Sequence, residues 1–552
     1  MKQILCKHKQ LLSIFLMFTM TFMSCSGDDL DDSNGGSTSV RGTHDIVPLP
    51  NRVRFHGNTY TVSTRLSISA AEEYSKAAQV LKKELNSLGL NASIATAQTD
   101  SEISFVVDTS LAGDAYEITI DAADAIQVFV NSEKSAFYAS QTLRQYMWTS
   151  NQRSGAIDFV TATISDAPNN DYRGFQLDVA RHFFPKEFIF KIIDQMALYK
   201  LNNLQIHLSD DQGWRVVSEN YPLLTEVGGF REFDAYDLWC IDKARSDADY
   251  QFDPNFVNGN TYGGFYTKQD LKDIVAYAAE NYINVIPEID MPGHMSAAIR
   301  AYPWISCNGQ VDWGAHFSRP MCVYDDQVMQ FAKDIWDEMI DIFPATRVHI
   351  GADEVDKSFW ENDPNGQQFM QDKNFPHVNY IQNYFVSEIT AYLESKGKKV
   401  TAWDDILVSN DDNIVNTVSS SIDVMYWRDY KQDGAIYAAR NGNNIILTPW
   451  SWFYLSSDNN DQNLINMYNF SEADELNPAV IANKIGYQAC VWTERIPSEA
   501  VFEKFVFPRF QAFAEVAWSK GRDFTSFKRR LGSHLSYMDN AEINYKKPLF
   551  MN

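Results

Sequence analysis

The sequence predicts an α/β protein, a (β/α)8 barrel over residues 168–552 preceded by a small α+β domain over 46–167. Three observations predict it. The 552 residues exceed what one hydrophobic core usually supports, so two domains are expected. After Pro168, eight apolar, β-rich runs alternate with stretches of helical spacing, the pattern of parallel strands covered on both faces. Polar and tryptophan side chains crowd the carboxyl ends of those runs, where a barrel gathers its functional groups.

Taken in order, Lys2, Lys7 and Lys9 precede the apolar run Leu11–Met23, too short to span a bilayer comfortably, so 1–24 reads as an export signal. Residues 25–45 are acidic, then rich in Ser, Gly and Thr, and read as a flexible linker. Ser24-Cys25 resembles a bacterial lipobox, with Phe22 where leucine is usual. The resemblance implies lipidation of Cys25 and contact with a membrane only through that lipid. Ser26-Gly27-Asp28-Asp29-Leu30-Asp31-Asp32 resembles the surface-export tag of Bacteroidetes lipoproteins, which implies an outer-membrane lipoprotein displayed outward. A periplasm-facing anchor, or an ordinary signal peptide cut near Ser24–Ser26, is the alternative.

In the first domain, Tyr60–Ile68 reads as strand and Ala70–Leu88 as amphipathic helix. Ile103–Val107, Tyr116–Ile120 and Ala125–Val130 read as strands and Ser135–Met147 as helix. No catalytic constellation falls there. The barrel strands are predicted at Tyr172–Val179, Asn203–Leu208, Asn284–Ile289, Arg347–Ile350, Lys399–Trp403, Asp423–Trp427, Asn444–Leu447 and Gln488–Trp492. Helices are predicted at Lys186–Tyr199, Lys268–Glu280, Asp326–Ile342, Val378–Lys396 and Glu503–Trp518. A doubly wound open sheet is the alternative, but no Gly-rich phosphate loop follows any strand. The aromatic-rich insertion Asp234–Gly264 stands where it could shape an entrance.

Net charge of −25 argues against nucleic acid or an anionic membrane surface as partner. Aromatic residues make up 14%, which mildly favours a site for the flat C–H faces of sugars, although a large core is the plainer reading. Past the signal, Cys307 and Cys322 flank a short loop and are the candidate disulfide; Cys490, in an apolar strand, reads as a buried thiol. No cysteine spacing suggests structural zinc.

The strand ends supply Asp178, Arg181 and His182; Asp210, Asp211 and Trp214; Glu288, Asp290 and His294; Asp353 and Glu354; Trp403, Asp404 and Asp405; Trp427, Arg428 and Asp429; Trp450; and Trp492 with Glu494. Carboxylates and tryptophans without a phosphate loop suggest acid/base cleavage of a glycoside. Asp353 and Glu354 adjoin on the chain, so they should not face each other across a scissile bond. One is expected to protonate the leaving oxygen while the other grips a group on the sugar. His207, His294 and His349 near three strand ends raise a metal-dependent hydrolase, but histidines within strand cores are more often hydrogen-bonded structure, so neither metal nor cofactor is expected. Trp450 and Trp452 could be core or sugar-facing.

His349-Ile350-Gly351-Ala352-Asp353-Glu354 resembles the Asp-Glu signature of glycoside hydrolase family 20, the β-N-acetylhexosaminidases. Tyr172-Arg173-Gly174 leading to Leu177-Asp178-Val179-Ala180-Arg181-His182, His207-Leu208-Ser209-Asp210-Asp211-Gln212-Gly213-Trp214-Arg215, and Pro287-Glu288-Ile289-Asp290-Met291-Pro292-Gly293-His294 look like its first three strands. The resemblance covers nearly the whole mature chain. It implies exo-acting release of terminal β-linked N-acetylhexosamine with retention, the substrate's own acetamido oxygen attacking the anomeric carbon. Glucosamine and galactosamine stay equally open. Glu354 would be general acid and then base, and Asp353 would orient the acetamido nitrogen. Tyr454 would donate to the acetamido oxygen, and Trp403, Trp427 and Trp492 would wall the pocket. Arg173 and Glu494 would hold the sugar O3 and O4. Asp210 and His294 would keep Glu354 in the right protonation state. Rim position by itself favours Arg181 over Arg173; the resemblance favours Arg173.

Two departures stand out. The family usually has Gly-Gly before Asp-Glu, where this chain has Gly351-Ala352. Many members carry Asp two residues after the tyrosine, where this chain has Ser456. Losing that charge would favour 6-O-sulfated N-acetylglucosamine; loss of one hydrogen bond without altered preference is the plainer reading. A glycan-binding lipoprotein without catalysis, or a retaining glycosidase with a carboxylate nucleophile such as Glu494, are the alternatives of other classes.

Overall fold

The computed structural model describes residues 42–63, 65–95, 101–121, 123, 125–153, 155–310, 319–407, 418–456 and 459–551. The signal, Cys25 and most of the linker lie outside the described residues.

The first domain is an eight-stranded mixed sheet, with strands in the spatial order 52–63, 156–166, 116–121, 125–130, 103–107, 65–69 and 91–95, and a short strand, Asn151–Arg153, paired to 156–166. The expected strand Tyr60–Ile68 is two strands, Arg52–Ser63 and Arg65–Ser69, which lie in different parts of the sheet. The helix expected from Ala70 begins as a 3-10 turn, Glu72–Tyr74, and is α-helical over Ser75–Ser87. The helix Glu133–Thr149, capped by Ser132 accepting from the Ser135 amide, is buried on nearly every side.

Eight parallel strands close the barrel in sequence order: β1 (Tyr172–Asp178), β2 (Asn203–His207), β3 (Asn284–Glu288), β4 (Arg347–His349), β5 (Lys399–Trp403), β6 (Asp423–Tyr426), β7 (Ile445–Leu447) and β8 (Lys484–Val491). β8 pairs with β1 from Gly486↔Tyr172 to Val491↔Leu177, which removes both edges. The strands are short and buried almost throughout, as a parallel sheet under helices requires. The predicted outer helices form at Lys186–Leu198, Lys268–Glu280, Asp326–Ile342 and Asn379–Ser395. The predicted helix Glu503–Trp518 is instead two, Glu499–Val506 and Arg509–Trp518, because Pro508 offers no amide hydrogen at the junction.

The first domain docks at the amino ends of the first barrel strands through a buried polar junction. Lys200 Nζ stands 2.8 Å from the Tyr116 hydroxyl and 3.2 Å from Asp166, and Trp518 Nε1 donates to the same carboxylate at 3.1 Å. The Arg173 guanidinium lies 4.9 Å over Trp518. Nearby, Glu515 receives Arg530 at 2.6 and 2.7 Å, the Tyr468 hydroxyl and the Leu49 amide. Lys200 and Arg530 are thus paired with carboxylates, while Arg173 is satisfied by neutral acceptors and the indole face, as burial demands.

Candidate functional site

The opposite rim is built from the strand ends upward. The Asp178 carboxylate, closing β1, accepts from the Ala180 and Arg181 amides at 2.8 and 3.1 Å, and from the amide and hydroxyl of Thr493 at 2.9 and 3.0 Å. It thus ties the end of β1 to the end of β8 and turns Arg181 inward. Arg181 reaches Asp178 at 3.2 Å and Asp210 at 2.7 Å, and its guanidinium lies 5.0 Å over the Trp492 ring. Glu494 adds its charge to the same guanidinium; burial, eased by Arg181, raises the Glu494 carboxyl above its ordinary value.

Below the rim, Glu288 ends β3 as a hub. Trp403 Nε1 and Gln205 Nε2 donate to it at 2.8 Å each, and Nδ1 of His207 stands 2.8 Å away. Nε2 of His207 lies 2.8 Å from Asp210, which also lies 3.2 Å from Nδ1 of His294. Nε2 of His294 is 3.7 Å from both Asp353 and Glu354. Charges of alternating sign therefore run from the barrel interior to the Asp-Glu pair. Burial opposes every one of these charges, yet the neighbours win. His207 and Arg181 with His294 hold Glu288 and Asp210, respectively, well below the carboxylate range, and those carboxylates hold His207 and His294 well above the usual histidine value.

The Asp353 carboxyl is different. Burial first, and then the charge of Asp290, push it well above the usual range, while burial pushes Asp290 up to about 6. The turn bearing the pair is tight. Gly351, Ala352 and Glu354 have φ of 68°, 71° and 48°. A Cβ on Gly351 would fall 1.9 Å from Asp290 Oδ1, the atom that accepts from the Ala352 amide at 2.9 Å. The second glycine of the usual signature is here Ala352, whose buried methyl is carried at a strain of about 1 kcal/mol. Asp353 is buried, and its Oδ1 accepts no hydrogen bond from the described residues. Glu354 is the more exposed, with 32% of its side chain accessible.

Aromatic rings form an arc beside the pair. Successive centroids are 5.8 Å apart for Trp403–Trp492, 6.1 Å for Trp492–Tyr454 and 6.3 Å for Tyr454–Trp427, the last stacked at 19°. Each is fixed by its polar edge. Trp403 is held by Glu288, and Trp427 Nε1 donates to Asp405 at 2.8 Å, while the other oxygen of Asp405 receives the Glu354 amide at 3.3 Å. Ser456 Oγ accepts the Trp492 amide at 2.7 Å. Burial raises the Tyr454 phenol well above its ordinary value, so it keeps a proton to donate.

Three sets of side chains, His207/Asp210/Asp290, Asp210/Asp211/His294 and Asp290/His294/Asp353, bring ligand atoms within 4.8 Å of one another. The Arg181 guanidinium, 2.7 Å from Asp210, already places a positive charge against the carboxylate that the first two sets share.

Comparison with known proteins follows the same geometry. The model of glycosyl hydrolase family 20, catalytic domain, matches residues 170–521, and that of glycosyl hydrolase family 20, domain 2, matches 43–167. The chain belongs to glycosyl hydrolase family 20. It is 32% identical over 534 residues to a β-hexosaminidase of Porphyromonas gingivalis, covering 91% of this chain and 64% of that protein. A β-hexosaminidase of Akkermansia muciniphila is 29% identical, covering 80% of this chain and 87% of the relative. Among solved structures, the family 20 exo-β-N-acetylglucosaminidase of Vibrio harveyi in complex with N-acetylglucosamine superposes with a TM-score of 0.79 at 27% identity, over 93% of this chain and 80% of the other. The chain thus spans about two thirds of the length of the Porphyromonas relative.

The structure gathers Asp353, Glu354, Asp210, His294, Trp403, Trp427, Tyr454, Ser456, Trp492 and Glu494 on one rim. It excludes Arg173. That residue starts β1, at the far end, and its guanidinium is consumed by the backbone carbonyls of Asn170 at 2.7 Å and Lys200 at 2.8 Å and by the Tyr138 hydroxyl at 2.9 Å. Transferring the family's site arginine to Arg173 is therefore an error, and Arg181, seven residues beyond the glycine that follows Arg173, is the arginine at the site. Glu288, Asp290 and Asp405, read from the sequence as strand-end carboxylates without a role, also join the site. Cys307 and Cys322 are free thiols with sulfurs within 4.8 Å of each other, and the Tyr324 hydroxyl meets Cys307 at 3.0 Å.

Proposed function

We propose that this family 20 chain removes terminal β-linked N-acetylhexosamine residues from glycans, with retention, the substrate's acetamido oxygen serving as nucleophile. The carrying observation is the environment of Asp353, a buried carboxyl whose Oδ1 has no donor among the described residues and which sits beside an arc of four aromatic rings. An amide N–H is the donor that fits it, and the acetamido methyl suits the rings. Tyr454 would donate to the acetamido oxygen from the other side. Glu354, nearer to solvent, protonates the leaving oxygen and then activates water, its proton balanced by His294. Arg181 and Glu494 hold ring hydroxyls. Aiming a nucleophile already attached to the sugar replaces a bimolecular step, worth about 7–11 kcal/mol at the limit. Glu494 makes a poor alternative nucleophile, because burial favours its neutral form. The test compares aryl β-glycosides bearing 2-acetamido and 2-hydroxyl groups. The acetamido substrate should be cleaved at least a thousandfold faster, by about 4 kcal/mol; equal rates would end the reading.

Ser456 supports a finer proposal, tolerance of a 6-O-sulfate. A serine there carries no charge to repel the sulfate, although its hydroxyl also steadies Trp492. The ratio of kcat/KM for 6-sulfated and unsulfated substrates should drop in Ser456→Asp; an unchanged ratio leaves serine only its hydrogen bond. We further propose an outer-membrane, outward-facing lipoprotein anchored at Cys25, tested by fatty-acid labelling of wild type against Cys25→Ala and by protease shaving of cells.

A further inference from the structure

A line of aromatic rings continues out of the pocket. Trp427, stacked on Tyr454 within, meets Tyr430 edge-on at 6.1 Å, and Tyr430 meets Trp450 edge-on at 6.4 Å. Both outer rings are bare, Tyr430 at 66% exposure and Trp450 at 54%. Trp452, two residues on, instead turns inward onto Phe470, 5.4 Å away.

The bare pair is held firmly. The Asp429 and Trp450 amides both donate to the Trp427 carbonyl, at 3.0 and 2.9 Å, and the Ser451 amide donates to the Asp429 carboxylate at 3.0 Å. Arg428 beneath the turn is locked by Asp404 at 2.9 Å and Asp405 at 3.3 Å. Asp405 is also the group that ties the Trp427 indole to the Glu354 amide, so the rings and the acid share one support. The two exposed rings are therefore adjacent to one another and continuous with the aromatic wall of the pocket, on a turn that shares its support with the acid.

We propose that Tyr430 and Trp450 form a platform for the sugar on the leaving-group side of the scissile bond, an uncharged pyranose whose C–H face lies on the Trp450 indole while its hydroxyls meet the Tyr430 phenol. The inference rests on Glu354 protonating the leaving oxygen, since that role fixes the side on which the departing sugar lies. The ring face supplies apolar contact, and the edge-on tyrosine supplies a hydrogen-bonding group at right angles to it.

The test compares wild type, Trp450→Ala, Tyr430→Ala and Trp450→Phe on a panel of β-linked N-acetylglucosamine disaccharides. A thiazoline inhibitor that fills only the pocket is measured alongside. Trp450→Ala should lower kcat/KM on at least one disaccharide by about tenfold, Tyr430→Ala by about threefold, and Trp450→Phe should recover most of the loss. The thiazoline Ki should stay within about twofold throughout. Disaccharide kcat/KM equal to wild type in both alanine variants overturns the platform, as does a thiazoline Ki that weakens in step with it. A wild-type protein that releases no N-acetylhexosamine from any substrate instead overturns the reading of the site, and so is a distinguishable failure.

Discussion

Replacing Glu288 by glutamine tests the hub that links Trp403 to the acid. The carboxylate receives two side-chain donors and faces His207, whose protonated state depends on it. Glutamine keeps one acceptor oxygen but turns an NH2 group either toward the donors on Gln205 and His207 or toward Trp403 Nε1 and Nδ1 of His349, which stands 3.1 Å away and accepts the Gly351 amide. Losing one charge-assisted hydrogen bond costs about 1.5–3 kcal/mol, and leaving His207 facing a neutral amide raises the loss toward 3–5 kcal/mol, less whatever His207 recovers by releasing its proton. A net of about 3 kcal/mol, over a folded unit of roughly 500 residues, lowers Tm by about 3 °C. The pH dependence has a definite sign. The depressed Glu288 value means its contribution is present above the ordinary glutamate value of 4.5 and fades as pH falls through the depressed value. The raised His207 value means its contribution is complete below the ordinary 6.5 and fades as pH rises through the raised value. The gap between wild type and Glu288→Gln should therefore be widest between those two ordinary values and shrink on acidification. Calorimetric melts across pH, with KM for an N-acetylated substrate to follow the Trp403 wall, make the assay. A variant melting within about 1 °C of wild type at pH 6 refutes the hub as a fastening.

Three further outcomes are expected. Arg181→Lys should lower kcat/KM at least tenfold, about 1.4 kcal/mol, beyond any fall in melting from its loosened Asp178 and Asp210 contacts, whereas Arg173→Lys should melt lower and keep its kcat/KM; the reverse pattern in kcat/KM would return Arg173 to the site. Asp290→Asn removes a repelling charge beside Asp353, so the Asp353 carboxyl should ionise at lower pH and the acid limb of the kcat/KM profile should move down in pH; an unmoved limb would detach Asp290 from the site. In protein from an oxidising compartment, Cys307 and Cys322 should be joined in non-reducing peptide maps, while alkylation of both thiols in the unfolded protein would show them free.

The barrel was readable because buried parallel strands announce themselves as apolar runs, and because a closed barrel collects functional groups at one end of every run. The rule that named Asp353, Glu354 and His294 also named Arg181. Transfer by resemblance failed at Arg173, since the two arginines flank one short strand, Arg173 near its start and Arg181 three residues past its end, and are told apart only once the strand's direction is respected. Glu288, Asp290 and Asp405 were visible as strand-end carboxylates, but one sequence does not reveal which of them face the same imidazole or indole. The split at Pro508 was legible in principle, since a proline inside a helical pattern is a stop. The partners of Lys200 were not, because Tyr116 and Asp166 are paired within the first domain's sheet while Lys200 comes from the barrel, so the contact exists only across the domain boundary.

That meeting bears on how the two halves can be inherited. A barrel released at the boundary would present an ammonium and a guanidinium on an oily underside, their partner Tyr116, Asp166 and Tyr138 gone with the excised piece. Swapping catalytic halves between relatives should succeed only when both faces of the seam travel together, which makes the small domain an obligate companion of the large one.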